Sequence, residues 1–260
     1  MKVVLFCGGL GMRLREYSET IPKPMVEIGY RPILWHVMKY YAHFGHTDFI
    51  LCLGHRADVI KKYFVNYDES LSNNFVLTNG GSDLRLLNSD IGDWKITFID
   101  TGLNTNIGQR LWAVEKYLGE DEMFLANYAD GLTDLYFPDY LAEFQASGKT
   151  AAFLSVRPTQ SAHVVTVQGK NEVAAIQSFH EADIWINGGF FIFRKEIFKH
   201  IKDGEELVEE PFKRLIASKQ LMTRRHDGLW VAMDTFKDKR FLDDLMDRGE
   251  ASWEVWKKHD

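Results

Sequence analysis

Three glycines, Gly8, Gly9 and Gly11, follow the apolar run Val3 to Cys7, and three cations, Arg13, Arg15 and Lys23, come soon after. Glycine permits turns with positive φ and removes side chains, so backbone N–H groups can approach a ligand closely. Cations beside such a loop suit a polyphosphate. Pro22 and Pro24 flank Lys23. Each ring fixes φ, so the ammonium is carried on a stiffened segment and can be preset against a phosphate. The loop is not a dinucleotide fingerprint, because Leu14 stands where the third glycine belongs, and it lacks the Gly-Lys-Ser/Thr ending of a P-loop.

Two aspartates farther along share one placement. Asp130 follows the apolar run Met123–Asn127, and Asp234 follows Trp230–Met233. A carboxylate at the C-terminal end of a parallel strand lies where α/β sheets bind ligands. Two of them can share one Mg²⁺, which takes oxygen ligands from one or two carboxylates and from substrate phosphates. Either can equally be a turn or helix-cap residue. Gly108-Gln109-Arg110 opens a helical segment with a cation for a phosphate, a base or the surface. Asn187-Gly188-Gly189 precedes Phe190-Phe191 and either lets a ligand ring approach or forms a hairpin turn. The nine histidines are scattered without catalytic or metal-binding spacing.

The elements that must position these residues alternate. Val3–Cys7 and Phe49–Leu53 are expected strands, and Pro32–Phe44 between them has apolar residues at helical spacing. Helices are expected at Val59–Tyr67, Arg110–Tyr117 and Pro138–Ser147, and strands at Ile96–Ile99, Met123–Asn127 and Thr150–Val156. This predicts an α/β fold with a doubly wound, mostly parallel, Rossmann-like sheet. After Arg157 the pattern changes. Val164–Val167, Val173–Phe179 and Gly189–Phe193 predict a small antiparallel insertion, and Phe241–Arg248 with the aromatic tail a C-terminal helical extension. The expected organisation is one domain over 1–260, with a nucleotide-binding core at about 1–157 and a C-terminal region at about 158–260.

Composition narrows the class. Charged residues make up 26% and the net charge is −6, so nothing suggests a protein that coats nucleic acid, while a small anionic substrate needs only local positive charge. No apolar run approaches membrane-spanning length, and the N-terminal segment lacks a signal-peptide pattern, so a cytoplasmic protein is expected. Cys7 and Cys52 sit in apolar runs and are expected to be core residues.

Taken in order, GGLGMRL, PKPMVEIGYRPILWHVMKYY, DTGLNTNIGQRL, FLANYADGLTDL, INGGFFIF and MDTFKDKRFLDDL resemble the sugar-1-phosphate nucleotidyltransferase family, most closely its cytidylyltransferase members. The resemblance runs almost end to end. It implies transfer of a cytidylyl group from CTP to a phosphorylated acceptor, such as glucose 1-phosphate or a related sugar 1-phosphate, with release of pyrophosphate. It also implies that Gly8, Gly9, Gly11, Met12, Arg13, Lys23 and Arg110 bind the nucleotide. Arg13 and Lys23 would be the catalytic cations, Asp130 and Asp234 the Mg²⁺ ligands, and Glu181, Asn187 and Gly188 acceptor contacts. A homo-oligomer is implied as well.

Two departures stand out. Met12 replaces the threonine usual in the family's glycine loop. In SFHEADIWINGGFF, Glu181 matches the family's glutamate, but Ala182 stands where a lysine contacts the acceptor phosphate. The chain therefore leaves open a non-glucose or non-sugar acceptor, another base (UTP, dTTP or GTP), and a regulatory module that binds a nucleotide without turning it over. Arg157, Arg194 and Lys195 are the candidate replacement cations.

Overall fold

The computed structural model describes residues 1–9, 21–158, 163–179 and 181–257. Its centre is an eight-stranded sheet. The strands are β1 (Lys2–Phe6), β2 (Asp48–Leu53), β3 (Lys95–Asp100), β4 (Met123–Tyr128), β6 (Ala151–Val156), β7 (Ile186–Asn187), β8 (Phe191–Arg194) and β9 (Leu221–His226). A separate short pair is β5 (Gly131–Thr133) with β10 (Trp230–Ala232). β1 pairs in parallel with β2 and β4, β2 with β3, and β6 with β9. β7 and β8 run antiparallel along one side of β6, and β8 also pairs with β4.

The parallel strands are continuous apolar runs because both faces are covered. Val3, Leu5, Phe49 and Leu51 join one core cluster, and Val4, Phe6, Ile50 and Cys52 join the other. The first face is packed by α1 (Ile33–His43), α4 (Phe137–Ser147) and α6 (Phe236–Asp247), and the second by α3 (Ile107–Val114) and α5 (Glu210–Ala217). A further helix, α2 (Ala57–Val65), follows β2 and buries Ile60. Alternation sends the two cysteines to opposite clusters, and both are free and buried. The aromatic tail docks on the body: Trp253 is buried beside His36.

Three expectations change. The segment around Phe191 belongs to the central sheet and not to an insertion, while the ribbon 163–178 stands apart from that sheet. Its strand bridges β4 and β6 in the reverse direction, and a fully buried strand carries no sign of its direction. The helix expected from Phe241 begins at Phe236, where Thr235 and Asp238 form a capping box. A second ribbon, 75–86, was not foreseen, although Asn79-Gly80-Gly81 between apolar residues is a hairpin signal.

That second ribbon belongs to an excursion tied down by Arg31. The buried guanidinium donates to Asp68 O at 2.8 Å and to Tyr63 Oη at 3.2 Å, and lies 3.8 Å from the Asp90 carboxylate. No described helix is long and apolar enough to cross a membrane.

Candidate active site

Strands β1, β2, β3, β4, β6 and β9 all run the same way, so their C-terminal ends form one rim. Ligands of open α/β sheets bind along such a rim. Lys23 reaches it from a tight turn, Lys23–Met25, entered through Pro22. Pro24 and Met25 are buried and anchor the turn, and Val26 N donates to Lys23 O at 3.1 Å. The lysine is thus held at its backbone, and only the side chain is left to reach outward.

Asp130 and Asp234 are far apart in sequence but are brought together by one small device. β5 and β10 pair antiparallel with Ala232 opposite Gly131, and Met233 N donates to Asp130 O at 2.9 Å. The residue before β5 and the loop after β10 therefore lie side by side. The capping box of α6 fixes the second aspartate, because Asp238 Oδ2 accepts from Thr235 N at 2.7 Å and from Asp234 N at 3.1 Å.

The ammonium of Lys23 sits between the two carboxylates, 2.5 Å from Asp130 Oδ2 and 2.6 Å from Asp234 Oδ1. Burial disfavours the charged lysine, but the two aspartates outweigh that cost and hold its pKa above the ordinary value. The two carboxylates hence converge on a single cation. Hard oxygen donors arranged this way fit Mg²⁺, whose other ligands are commonly phosphate oxygens and water. Among the described residues there is no cluster of three or more metal-ligating side chains.

Gly8 is buried at the end of β1, and Gly9 is exposed. A Cβ on Gly8 would collide with the guanidinium of Arg110. Gly11, Met12 and Arg13 lie outside the described residues. Arg110 does not project from the surface of α3. It is 3% exposed and turned under the loop. Its Nη2 donates to Gly8 O at 3.0 Å, and its Nη1 donates to Thr101 Oγ1 at 2.7 Å and Leu53 O at 3.2 Å. It joins the ends of β1, β2 and β3, and its described bonds are to the protein itself. Gly54 completes the packing, since a Cβ there would lie 2.8 Å from Gly8 O and 2.9 Å from Gly102 O.

The chain crosses from β7 to β8 through Gly188, Gly189 and Phe190. Gly189 has φ +77°, and a Cβ there would lie 2.5 Å from Asn127 Oδ1. That oxygen accepts from Phe190 N and Tyr128 N at 2.9 Å each. Gly188 O accepts from Trp230 Nε1 at 2.9 Å. Asn187 turns its Oδ1 to Gly189 N at 2.9 Å and its Nδ2 to Tyr128 Oη at 3.5 Å. Glu181 is exposed, and its carboxylate accepts from Ser178 N at 2.8 Å and Ser178 Oγ at 2.9 Å. Two side chains of this region did not stand out in the sequence, Trp185 and Arg225. Trp185 lies between Arg157 and Arg225, with guanidinium carbons 4.5 and 5.0 Å from its ring centre. An aromatic residue spaced two before Asn187 was the available signal.

The nucleotidyl transferase family matches residues 2–238. Glucose-1-phosphate cytidylyltransferase of Salmonella typhi is 37% identical over 98% of this chain and 100% of its own length. The enzyme of the same name from Salmonella typhimurium is 36% identical over the same shares. Mannose-1-phosphate guanyltransferase of Hypocrea jecorina is 26% identical over 93% of this chain and 62% of its own. Among solved structures, a UDP-glucose pyrophosphorylase complexed with UDP-glucose has the same fold, with a TM-score of 0.69 at 13% identity over 95% of this chain and 98% of that one. HddC from Yersinia pseudotuberculosis has a TM-score of 0.64 at 19% identity over 94% of this chain and 99% of its own.

Proposed function

The chain belongs to the nucleotidyl transferase family, and from that premise we propose that it is a Mg²⁺-dependent cytidylyltransferase. It joins CTP to a sugar 1-phosphate, glucose 1-phosphate first among them, and releases pyrophosphate. The observation that carries this reading is the convergence of Asp130 and Asp234 on the Lys23 ammonium at the strand-end rim. Its chemistry suits phosphoryl substrates, and the full-length similarity to two glucose-1-phosphate cytidylyltransferases supports the choice of base and acceptor.

The reaction needs no protein nucleophile. An oxygen of the acceptor phosphate attacks the α-phosphorus of CTP, and the bond to the pyrophosphate oxygen breaks. The protein's part is positioning and charge neutralisation. Mg²⁺, bound by Asp130 and Asp234, would polarise the phosphoryl group and offset its negative charge. Lys23, whose ammonium lies between these two carboxylates, would swing aside on its fixed turn and place a second positive charge beside the phosphates. Arg110 acts one step back, holding Gly8 so that the loop presents its backbone to the nucleotide. Arg13 keeps the cationic role that the resemblance gives it.

The reading includes a cytoplasmic homo-oligomer. Association is supported by the ribbon 163–178, which exposes Val165, Val167, Val173 and Ile176 on one of its faces.

The test is pyrophosphate release with glucose 1-phosphate and each of CTP, UTP, dTTP and GTP, with and without EDTA. CTP is expected to support turnover at least tenfold better than the others, and EDTA to abolish it. Preference for another nucleotide, or turnover undiminished by EDTA, would overturn the respective part of the proposal.

A further inference from the structure

The acceptor's phosphate needs a cation, and three were available in sequence near the expected position. Two of them lie at the wrong end of the sheet. Arg194 stands opposite Met123, the first residue of β4, and donates to Lys149 O at 3.0 Å. Lys195 follows it and donates to Gly119 O at 2.6 Å. Arg157 leaves β6 at the correct rim, but it is already compensated by Asp183 at 3.1 Å and Asp227 at 3.0 Å.

Arg225 is different. It precedes His226, the last residue of β9, and stands opposite Ser155, which in turn stands opposite Asn187. Residues opposite one another point to the same face, so Arg225, Ser155 and Asn187 form a row. The row is continued by the bond from Asn187 to Tyr128, two residues before Asp130. Arg225 is exposed and makes no hydrogen bond or close ion pair among the described residues; it lies over the face of Trp185, and the Asp183 carboxylate feels its charge from farther away.

Trp185 Nε1 donates to Asp183 Oδ1 at 2.9 Å, the same oxygen that pairs with Arg157. A guanidinium stacked on an aromatic face keeps its N–H edges free in a planar fork, which matches two oxygens of a phosphate.

We propose that Arg225, stacked on Trp185 beside Arg157, binds the phosphate of the acceptor and takes the place of the missing lysine at Ala182. This rests on the transferase reading above and names the group that the acceptor must carry, a phosphomonoester. Asp183 and Trp185 serve as positioning residues, and Arg157 adds a compensated charge on the same ring.

The experiment is calorimetric binding of glucose 1-phosphate and of inorganic phosphate, in the presence of a non-hydrolysable CTP analogue, to the wild type, R225Q, R225K and W185F. R225Q is expected to weaken binding of glucose 1-phosphate at least tenfold, R225K to recover part of it, and W185F to fall between. In turnover, KM for the acceptor rises in R225Q while KM for CTP stays unchanged. Equal affinity in wild type and R225Q, or no binding of either phosphate compound to the wild type, overturns the inference. Binding that depends on Arg225 without any turnover of CTP leaves the inference standing and removes the cytidylyltransferase reading.

Discussion

Arg110 donates to the carbonyl oxygen of Gly8 at 3.0 Å from beneath the glycine loop. The side chain expected to meet the nucleotide ties three strand ends together. Replacing it with methionine leaves Gly8 O, Leu53 O and Thr101 Oγ1 without this donor in a buried place. The expected loss is about 3 kcal/mol of stability, from unmade buried hydrogen bonds, read from urea denaturation. Lysine should not restore it, since an ammonium lacks the fork that spans the three oxygens. A stability equal to wild type would show that the clamp carries no weight.

Lys23, Asp130 and Asp234 work as one unit, so their losses will not add. Each of K23M, D130N and D234N is expected to lower kcat by roughly a hundredfold or more, corresponding to about 3 kcal/mol of transition-state stabilisation. The double variant D130N/D234N should cost far less than the product of the singles. Steady-state pyrophosphate release measures both statements, and a multiplicative double variant would contradict the shared site.

The capping box at Thr235 and Asp238 holds the loop that bears Asp234. T235A is expected to cost about 1 kcal/mol of stability and to lower kcat more than it raises KM for CTP. Thermal melting and kinetics on the same preparation separate the two effects. Unchanged kcat in a destabilised T235A would confine the box to a folding role.

His36 predicts an acid-side instability. It is fully buried, its Nε2 faces Ile28 O at 3.0 Å, and burial lowers its pKa from 6.5 to about 4. The unfolded chain therefore takes up a proton near pH 6.5 that the folded chain resists until about pH 4. Above the unfolded value both states are neutral and nothing is lost. As pH falls between the two values, the unfolded state gains, by about 3 kcal/mol at the lower end. The stability gap between wild type and H36Q should shrink by that amount from pH 7.5 to 4 in urea titrations. A gap independent of pH would remove His36 as the cause.

Much of this was legible in the chain. Val3–Cys7 and Phe49–Leu53 are continuous apolar runs of strand length, which suit strands covered on both faces. Pro22 and Pro24 marked Lys23 as a lysine on a fixed backbone. What stayed hidden depended on direction and partnership. Phe191–Phe193 is apolar throughout, so nothing in it says that it runs against its neighbours. Arg110 is a cation near a glycine loop in either role, and only the position of Gly8 O shows where its fork points. Asp130 and Asp234 were each readable as strand-end carboxylates, yet their meeting depends on β5 and β10 pairing, two three-residue strands too short to leave a pattern.

That same short pairing has a consequence for synthesis. Lys23 and Asp234 are separated by 211 positions, and Asp130 reaches its partner only when Trp230–Ala232 is in place. A chain emerging from the ribosome can lay down most of its parallel sheet while the two carboxylates are still unpaired. Closing so long a loop is a late and costly event. The centre is therefore completed only after Asp234 has been made. Products that stop short of Asp234 carry the glycine loop and its lysine but lack the second carboxylate that meets that lysine, so they should be catalytically silent.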